Sequence, residues 1–282
     1  MTFSSHGSKL IVRFLGFSHL LIALGSGACT IVALKVLGIN EGYGPSVAFI
    51  SSCTGLGYSI QRVIKAKLFP KAVPHERLDF LEKYGVKLVS TWAIAWLAGL
   101  WLVINDLSLM TWGLLFLLGS SGLAYAILPG PLSRIANSLR EVPRLKLTVL
   151  SIVWGGATVL LPLLIMGIEV CPVQLSFVFI ARVLYIAGLT IPFDVRDLNV
   201  DSDGMKTVPM VWGVVKSLWF ASALVLMAGG VWAFLEQYRL AIHSLLTAVL
   251  VCPKVHKPYR GEWYYSILLD GMLLIQVFVL CS

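Results

Sequence analysis

The chain has few charged residues, which make up 13% of the sequence, whereas hydrophobic residues make up 58%. Several apolar runs reach about twenty residues, the length that an α-helix needs to cross the hydrocarbon core of a bilayer. A soluble globular fold is excluded by this combination of little charge and long apolar runs. The sequence therefore indicates a polytopic membrane protein.

The sequence also lacks the alternation of polar and apolar residues that lipid-facing β-barrel strands require, so we expect every span to be an α-helix. This predicts an all-α transmembrane bundle, a single membrane domain over residues 1–282 with two four-helix pseudo-repeats and a C-terminal helix. Nine spans are predicted, the eighth of them short, at residues 14–37, 45–60, 88–104, 109–128, 147–166, 173–192, 208–234, 240–251 and 263–280.

Basic residues divide unevenly between the loops. With a cytoplasmic N-terminus, 18 of the 22 Lys and Arg residues fall on the cytoplasmic side. Loops on the opposite side carry more acidic than basic residues. This pattern follows the positive-inside rule and predicts an integral protein of the bacterial inner membrane. The net charge of +8 is then explained by topology, and no nucleic-acid partner is expected.

Three predicted connections on the cytoplasmic side are long, at residues 61–87, 129–146 and 193–207. We expect function there, because connecting segments on a rigid scaffold carry most binding groups. The third contains Asp194, Asp197, Asp201 and Asp203, four of the 14 acidic residues of the chain.

Spacing within this acidic segment suggests a ligand. Asp194, Asp197 and Asp201 stand at i, i+3 and i+7, which places all three on one face if the segment is helical. Their mutual repulsion would be relieved by Mg²⁺, which proteins hold with one or two carboxylates, water and substrate phosphate oxygens. A solvated acidic segment without a ligand is the alternative at this point.

The residues after Asp201 support the ligand. The pattern Asp-x-x-Asp-x-x-x-Asp, followed by Gly204 and by Lys206-Thr207-x-Pro209, resembles the second aspartate-rich motif of the UbiA-type prenyltransferase superfamily. This resemblance implies a nine-helix bundle in which two aspartate motifs face each other across a cavity. It also implies that a polyprenyl diphosphate is bound through Mg²⁺ and that its prenyl group passes to an aromatic or other lipophilic acceptor.

The first motif of that family, an Asn-Asp-x-x-Asp type sequence after the second helix, is missing. Tyr58-Ser59-Ile60-Gln61-Arg62 stands in its place, and no acidic residue follows before Glu76. In one interpretation Arg62 or Lys65 neutralises the diphosphate directly. In the other, the protein binds a lipid diphosphate without turning it over.

Residue roles follow from the resemblance. The predicted catalytic and Mg²⁺-binding residues are Asp194, Asp197 and Asp201. The predicted substrate-binding residues are Arg62, Lys146 and Lys206 for the diphosphate, with Tyr58, Ser59, Gln61 and Tyr125 along the site. Tyr58, Tyr125 or Tyr185 would also stabilise an allylic cation through its aromatic face.

Two charged residues within apolar segments need partners, because a lone charge in hydrocarbon costs several kcal/mol. Arg182 is expected either to face the cavity or to pair with another helix. Asp270 is expected to make a structural hydrogen bond or to pair with Arg182 or with a cytoplasmic base. His19, alone in an apolar stretch, is expected to be a hydrogen-bonded core residue.

Two other functional classes fit the sequence less well than a transferase does. A transporter would have discontinuous helices in equivalent positions of the two halves and charges near the midplane. This sequence instead concentrates its acidic residues at one membrane border. The glycine and aspartate pattern of the CDP-alcohol phosphotransferases is absent from the sequence.

Overall fold

A computed structural model gives the fold. It describes residues 11–68, 70, 73–127, 145–198, 207–255 and 261–281, with the side chains of residues 123–127 and 145–146 left out. Asp201 and Lys206 lie outside the described residues, as do the side chains of Tyr125 and Lys146.

Nine long helical segments form the described bundle. They are α1 (Leu20–Val36), α2 (Gly44–Leu68), α3 (His75–Val103), α4 (Leu109–Ile127), α5 (Leu145–Gly155, Gly156–Leu160 and Leu161–Met166), α6 (Pro172–Asp197), α7 (Val214–Phe234), α8 (Tyr238–Val251) and α9 (Tyr264–Leu269 and Asp270–Cys281). A π-helical turn, Val12–Phe17, precedes α1, and a short helix, Val208–Trp212, precedes α7. The central piece of α5 and the first piece of α9 are also π-helical.

The prediction of an all-α polytopic bundle is confirmed. Five helices, those of α3, α5, α6, α7 and α9, are long and apolar enough to cross a membrane. Three shorter apolar helices lie in α1, α4 and α8. The remaining helix, α2, is 25 residues long and carries hydroxyl and basic side chains along with its apolar ones.

The first predicted connection is wrong in its extent. Residues 61–87 were expected to form a loop, but α2 continues to Leu68 and α3 begins at His75. An apolar run marks where the hydrocarbon ends, whereas a helix continues for as long as its backbone hydrogen bonds and packing favour it. In the same way α6 continues to Asp197, beyond the predicted limit of residue 192.

The helices pack into a ring in the order α1, α2, α4, α5, α6, α7, α8 and α9, which returns to α1, and α3 packs against α2. Small residues permit the closest contacts, as is usual between membrane helices. A β-carbon on Gly188 of α6 would collide with Val225 and with the Ala221 carbonyl of α7. A β-carbon on Gly55 of α2 would collide with the Trp92 ring of α3.

One end of the bundle collects charged groups. At this end α6 finishes, and α3 and α9 begin. The last turns of α2 lie at the same end. The prediction that the segments after the second and sixth helices lie on the same side agrees with contacts at this end, where Arg77 and Arg196 share Glu262. We call it the charged end of the bundle and define it by Arg62, Arg77, Arg196, Asp197 and Glu262.

Candidate functional site

Glu262, just before α9, joins two arginines from distant helices. Its Oε2 lies 2.9 Å from Nη2 of Arg77 on α3 and 3.6 Å from Nη1 of Arg196 on α6. The Ser266 hydroxyl donates to the same Oε2 at 2.8 Å and accepts from Nη2 of Arg77 at 3.3 Å. Three helices are therefore tied together at the charged end by one carboxylate.

Both guanidinium groups are largely buried, with 9% and 10% of the Arg77 and Arg196 side chains exposed. The Arg77 group lies over the Phe17 ring at 5.1 Å, and the Arg196 group lies over the Phe193 and Tyr265 rings at 5.2 Å and 5.3 Å. Aromatic faces attract a cation most strongly where water is excluded. These rings therefore help to hold two arginines at fixed positions.

The arginines keep Glu262 charged. Burial by itself would raise the pKa of its carboxyl group, but Arg77 and Arg196 outweigh burial and hold the pKa below its ordinary value. A carboxylate that remains ionised can hold both cations at neutral pH.

Asp194 and Asp197 occupy the last turn of α6, so the helical spacing predicted for these two residues is confirmed. Asp194 is 2% exposed. Both Asp197 carboxylate oxygens accept hydrogen bonds from Arg196, from Nε at 2.7 Å and from Nη2 at 3.1 Å. Arg196 thus links Asp197 of α6 to Glu262.

Arg62 and Asp270 lie near this network. Asp270, at the second piece of α9, is within electrostatic range of Arg196, Arg77 and Arg62. It makes no hydrogen bond or ion pair with any residue that the structure describes, so the predicted direct pairing with Arg182 or a cytoplasmic base does not form. The charged end thus holds a half-buried carboxylate on α9 in addition to those of Glu262 and α6.

The segment that replaces the first aspartate motif lies on α2 with its side chains in different directions. Ser59 is fully buried, donates to the Gly55 carbonyl at 2.7 Å and lies 2.9 Å from Nδ1 of His19. His19 is therefore the hydrogen-bonded core residue that the sequence predicts. The Tyr58 hydroxyl accepts a long hydrogen bond of 3.4 Å from Nε1 of Trp154 on α5.

A cavity of about 550 Å³ lies between α2, α4 and α5, with Trp96 of α3 in its wall. Tyr58 and Gln61 line it, so two of the predicted substrate-binding residues face the same space. Arg62 follows Gln61 directly on α2 and lies within electrostatic range of Arg77. Helix α2 thus connects the apolar cavity to the charged end of the bundle.

The carboxylates of α6 are chemically suited to Mg²⁺. Mg²⁺ is commonly held by one or two carboxylates, with water and phosphate oxygens completing its six ligands. Asp194 and Asp197 supply two carboxylates from the last turn of α6. Within the described ranges no three His, Cys, Asp or Glu side chains converge as a metal site. The pair therefore fits an ion that substrate phosphates help to bind.

Sequence reasoning missed the roles of Arg77, Glu262 and Ser266. The sequence marks Arg77 only as one basic residue of the cytoplasmic side and gives no motif that assigns a role to Glu262. The two residues are 185 positions apart, so no local pattern could pair them. An acidic residue next to a strongly basic segment, as Glu262 is, was the available signal.

Arg182 pairs with other helices, one of the two alternatives expected. It is fully buried, and its guanidinium donates to the Cys29 carbonyl of α1 at 2.9 Å and to Oε1 of Gln276 on α9 at 2.7 Å. Cys29 Sγ accepts a further hydrogen bond at 3.0 Å. No acidic side chain from the described part of the chain pairs with it, so Arg182 is a neutral-partnered cation that ties α6 to α1 and α9.

Comparison with solved structures shows the fold. A UbiA homolog from Archaeoglobus fulgidus bound to GPP and Mg²⁺ is similar with a TM-score of 0.59 at 13% identity, covering 94% of this chain and 99% of that one. A UbiA homolog from Archaeoglobus fulgidus bound to DMAPP and Mg²⁺ gives a TM-score of 0.56 at 15% identity, with the same coverage. A digeranylgeranylglyceryl phosphate synthase gives a TM-score of 0.54 at 14% identity, covering 97% of this chain and 96% of that one.

No sequence family matches the chain, and no curated protein matches it significantly. The similar solved structures nevertheless show that the chain has the fold of the UbiA-type prenyltransferases over nearly its whole length. The resemblance predicted from one motif is thus confirmed at the level of the fold.

Proposed function

We propose that this protein is a membrane-embedded, Mg²⁺-dependent prenyltransferase. It moves an isoprenoid group from a polyprenyl diphosphate to a lipophilic acceptor, of which an aromatic compound is the expected type. The fold similarity supports the class, since two of the similar structures hold GPP or DMAPP together with Mg²⁺.

The observation that carries this proposal is the position of the α6 carboxylates. Asp194 and Asp197 lie in the last turn of α6, at the charged end, and Asp197 belongs to one network with Arg196, Glu262 and Arg77. The apolar cavity has one end at Gln61, and the next residue, Arg62, belongs to the charged end of the bundle. A charged head and an apolar tail are the two parts of a prenyl diphosphate, and the bundle offers a matching place for each.

In the proposed reaction the bond between the allylic carbon and the diphosphate oxygen breaks, and the electron pair leaves with the diphosphate. A nucleophilic atom of the acceptor then forms a bond to the allylic carbon and loses its proton to solvent. Mg²⁺ held by Asp194 and Asp197 would neutralise part of the negative charge of that leaving group. Of the three arginines that define the charged end, Arg62 is the one with no hydrogen bond to a carboxylate of the described residues, and it takes the place of the missing first motif as a direct diphosphate ligand. Asp201, Lys206 and Lys146 remain proposed ligands from the sequence.

Tyr58 and Gln61 are proposed to contact the substrate where the cavity meets the charged end, because both line that cavity. Ser59 is a weaker candidate, since its hydroxyl is fully buried and engaged with His19 and Gly55. Tyr185 is also fully buried, with its hydroxyl 3.1 Å from that of Thr247, so it is directed toward α8.

A noncatalytic binder of lipid diphosphates is the second candidate function. It is favoured by one observation: α2 carries Gln61 and Arg62 where a second set of carboxylates would hold another Mg²⁺. Such a protein would use the same charged end and cavity but would not release pyrophosphate.

The experiment that tests this proposal supplies the purified protein with polyprenyl diphosphates, Mg²⁺ and a panel of lipophilic acceptors, and measures pyrophosphate release. A transferase releases pyrophosphate only with a suitable acceptor and Mg²⁺, and Asp197→Asn abolishes the release. Binding of the diphosphate without release across the whole panel would support the noncatalytic binder. Undiminished turnover in both Asp197→Asn and Arg62→Ala would overturn the proposed site.

A further inference from the structure

His19 occupies the turn between Val12–Phe17 and α1, in a left-handed backbone conformation with φ of 61° and ψ of 14°. This conformation costs a residue with a side chain about 1–2 kcal/mol, whereas glycine adopts it freely. Two backbone hydrogen bonds of 3.1 Å keep it in place, because the His19 N–H donates to the Gly16 carbonyl and the His19 carbonyl accepts from the Ala23 N–H. A side chain at such a position indicates that the imidazole itself has a role.

The hydrogen bonds of Ser59 fix which nitrogen of the His19 imidazole carries the proton. A serine hydroxyl has one hydrogen, and that of Ser59 goes to the Gly55 carbonyl at 2.7 Å. The Ser59 oxygen therefore accepts from Nδ1 of His19, which lies 2.9 Å away. Nδ1 carries the proton of the neutral ring, and Nε2 keeps a lone pair. Nε2 makes no hydrogen bond with any residue that the structure describes.

The imidazole of His19 lies where the charged end meets the apolar cavity. Its partner Ser59 and Arg62 stand at i and i+3 on α2 and share one face of that helix. Arg62 and Arg77 are both within electrostatic range of the imidazole, and the ring of Tyr58, which lines the cavity, lies 6.3 Å from it. His19 is only 7% exposed, so its free nitrogen is largely shielded from bulk water.

The reacting carbon of a bound prenyl diphosphate would lie at the same depth. With the diphosphate at Arg62 and the tail in the cavity that ends at Tyr58 and Gln61, the allylic carbon lies between the two. Ser59 is three residues from Arg62, which corresponds to about 4.5 Å along the axis of α2. Nε2 of His19 is thus a basic atom near the junction of head and tail, where the acceptor must approach.

We propose that His19 is the general base of the prenyl transfer and that the acceptor is a hydroxyl compound whose O–H donates to Nε2. The inference rests on the proposed function, because the acceptor is that of the same transfer. As Nε2 takes the hydroxyl proton, the electron pair of the O–H bond remains with the acceptor. The oxygen of the acceptor, or a conjugated carbon of its ring, forms the new bond to the allylic carbon. The imidazolium then releases the proton to solvent.

His19→Asn tests the base with little disturbance of its surroundings. Asparagine tolerates the left-handed conformation, and its amide can donate to Ser59 as Nδ1 does, but it has no atom in place of Nε2. The assay uses the full-length protein in detergent with Mg²⁺, geranylgeranyl diphosphate and a panel of lipophilic phenols. In the variant, kcat for pyrophosphate release should fall at least about 100-fold, while the affinity for the diphosphate stays within about twofold.

Three comparisons make the test specific. His75→Asn is the matched control, because His75 is an exposed histidine at the start of α3, and it should keep the wild-type kcat. Each phenol is paired with its methyl ether, which has no hydroxyl proton to give and should react at less than about 1% of the rate of the phenol. His19→Gly, which suits this backbone conformation, should regain activity with imidazole in the buffer but not with the far less basic 4-nitroimidazole.

The outcomes separate this inference from the proposed function. If His19→Asn turns over like the wild type, if methyl ethers react as fast as phenols, or if imidazole does not restore His19→Gly, another group takes the proton and only this inference fails. Loss of diphosphate binding in both His19 variants would show a structural role and overturn it as well. If the wild type releases no pyrophosphate with any acceptor, the proposed transferase function fails and this inference fails with it.

Discussion

Replacing Glu262 with glutamine tests how much the charged end depends on a single carboxylate. Glu262 bridges Arg77 and Arg196, and only 17% of its side chain is exposed. Removing one partner of a buried ion pair costs about 3–5 kcal/mol, because the other charge is left uncompensated. Glutamine retains an oxygen that can accept from Arg77 and Ser266, so we expect a smaller cost than that range, about 2–3 kcal/mol.

Thermal unfolding in detergent measures this loss. At about 2–4 °C for each kcal/mol, we expect Tm of Glu262→Gln to fall by about 4–12 °C. Glu82→Gln, an exposed position on α3, is the matched control and should leave Tm within about 1 °C of the wild type.

A double-mutant cycle with Arg77→Met isolates the pair. The two single changes should be less than additive in the double variant, with a coupling free energy of about 1–3 kcal/mol. If Glu262→Gln behaves like Glu82→Gln, or if the two changes are fully additive, Glu262 does not hold the three helices together and the description of the charged end is wrong.

Three further outcomes are expected. Because the pKa of Glu262 is lowered in the folded protein, its carboxylate stabilises the fold above the ordinary value of about 4.3 and loses this contribution as the pH falls below it. The Tm difference between wild type and Glu262→Gln should therefore close on acidification through that range. Gln276→Leu should lower the free energy of unfolding by about 1–3 kcal/mol, because Arg182 loses an acceptor in the core, and chemical unfolding would show this. Ser59→Ala should cost about 1 kcal/mol and change diphosphate affinity less than Gln61→Ala does, since only Gln61 lines the cavity; a titration compares the two variants.

Particular residues show how far the sequence leads. Apolar runs predict the number of helices because the hydrocarbon core demands them. They do not predict where α2 ends or where α3 begins, since α2 continues past its apolar run and α3 starts well before its own. The aspartate pair of α6 is visible because Asp194 and Asp197 are close in sequence. The partner that holds Arg196 and Arg77 in place is not visible in the sequence, because Glu262 lies far along the chain from both, just before α9.

The cavity shows the same limit. Nothing local distinguishes Gly57 from Gly55, two residues away on α2, yet one lines the cavity and the other packs against Trp92. Only the packing of neighbouring helices decides which glycine is structural. Arg182 is similar, because its acceptors on α1 and α9 are 153 and 94 positions away.

The central claim is that the α6 carboxylates bind a prenyl diphosphate through Mg²⁺. The most direct test is a titration of the purified protein with geranylgeranyl diphosphate, with and without Mg²⁺, in the wild type and in Asp194→Asn and Asp197→Asn. We predict binding that needs Mg²⁺ in the wild type and is at least about tenfold weaker in each variant, a loss of about 1.4 kcal/mol or more. Binding that is indifferent to Mg²⁺, or equal in all three proteins, would contradict the claim.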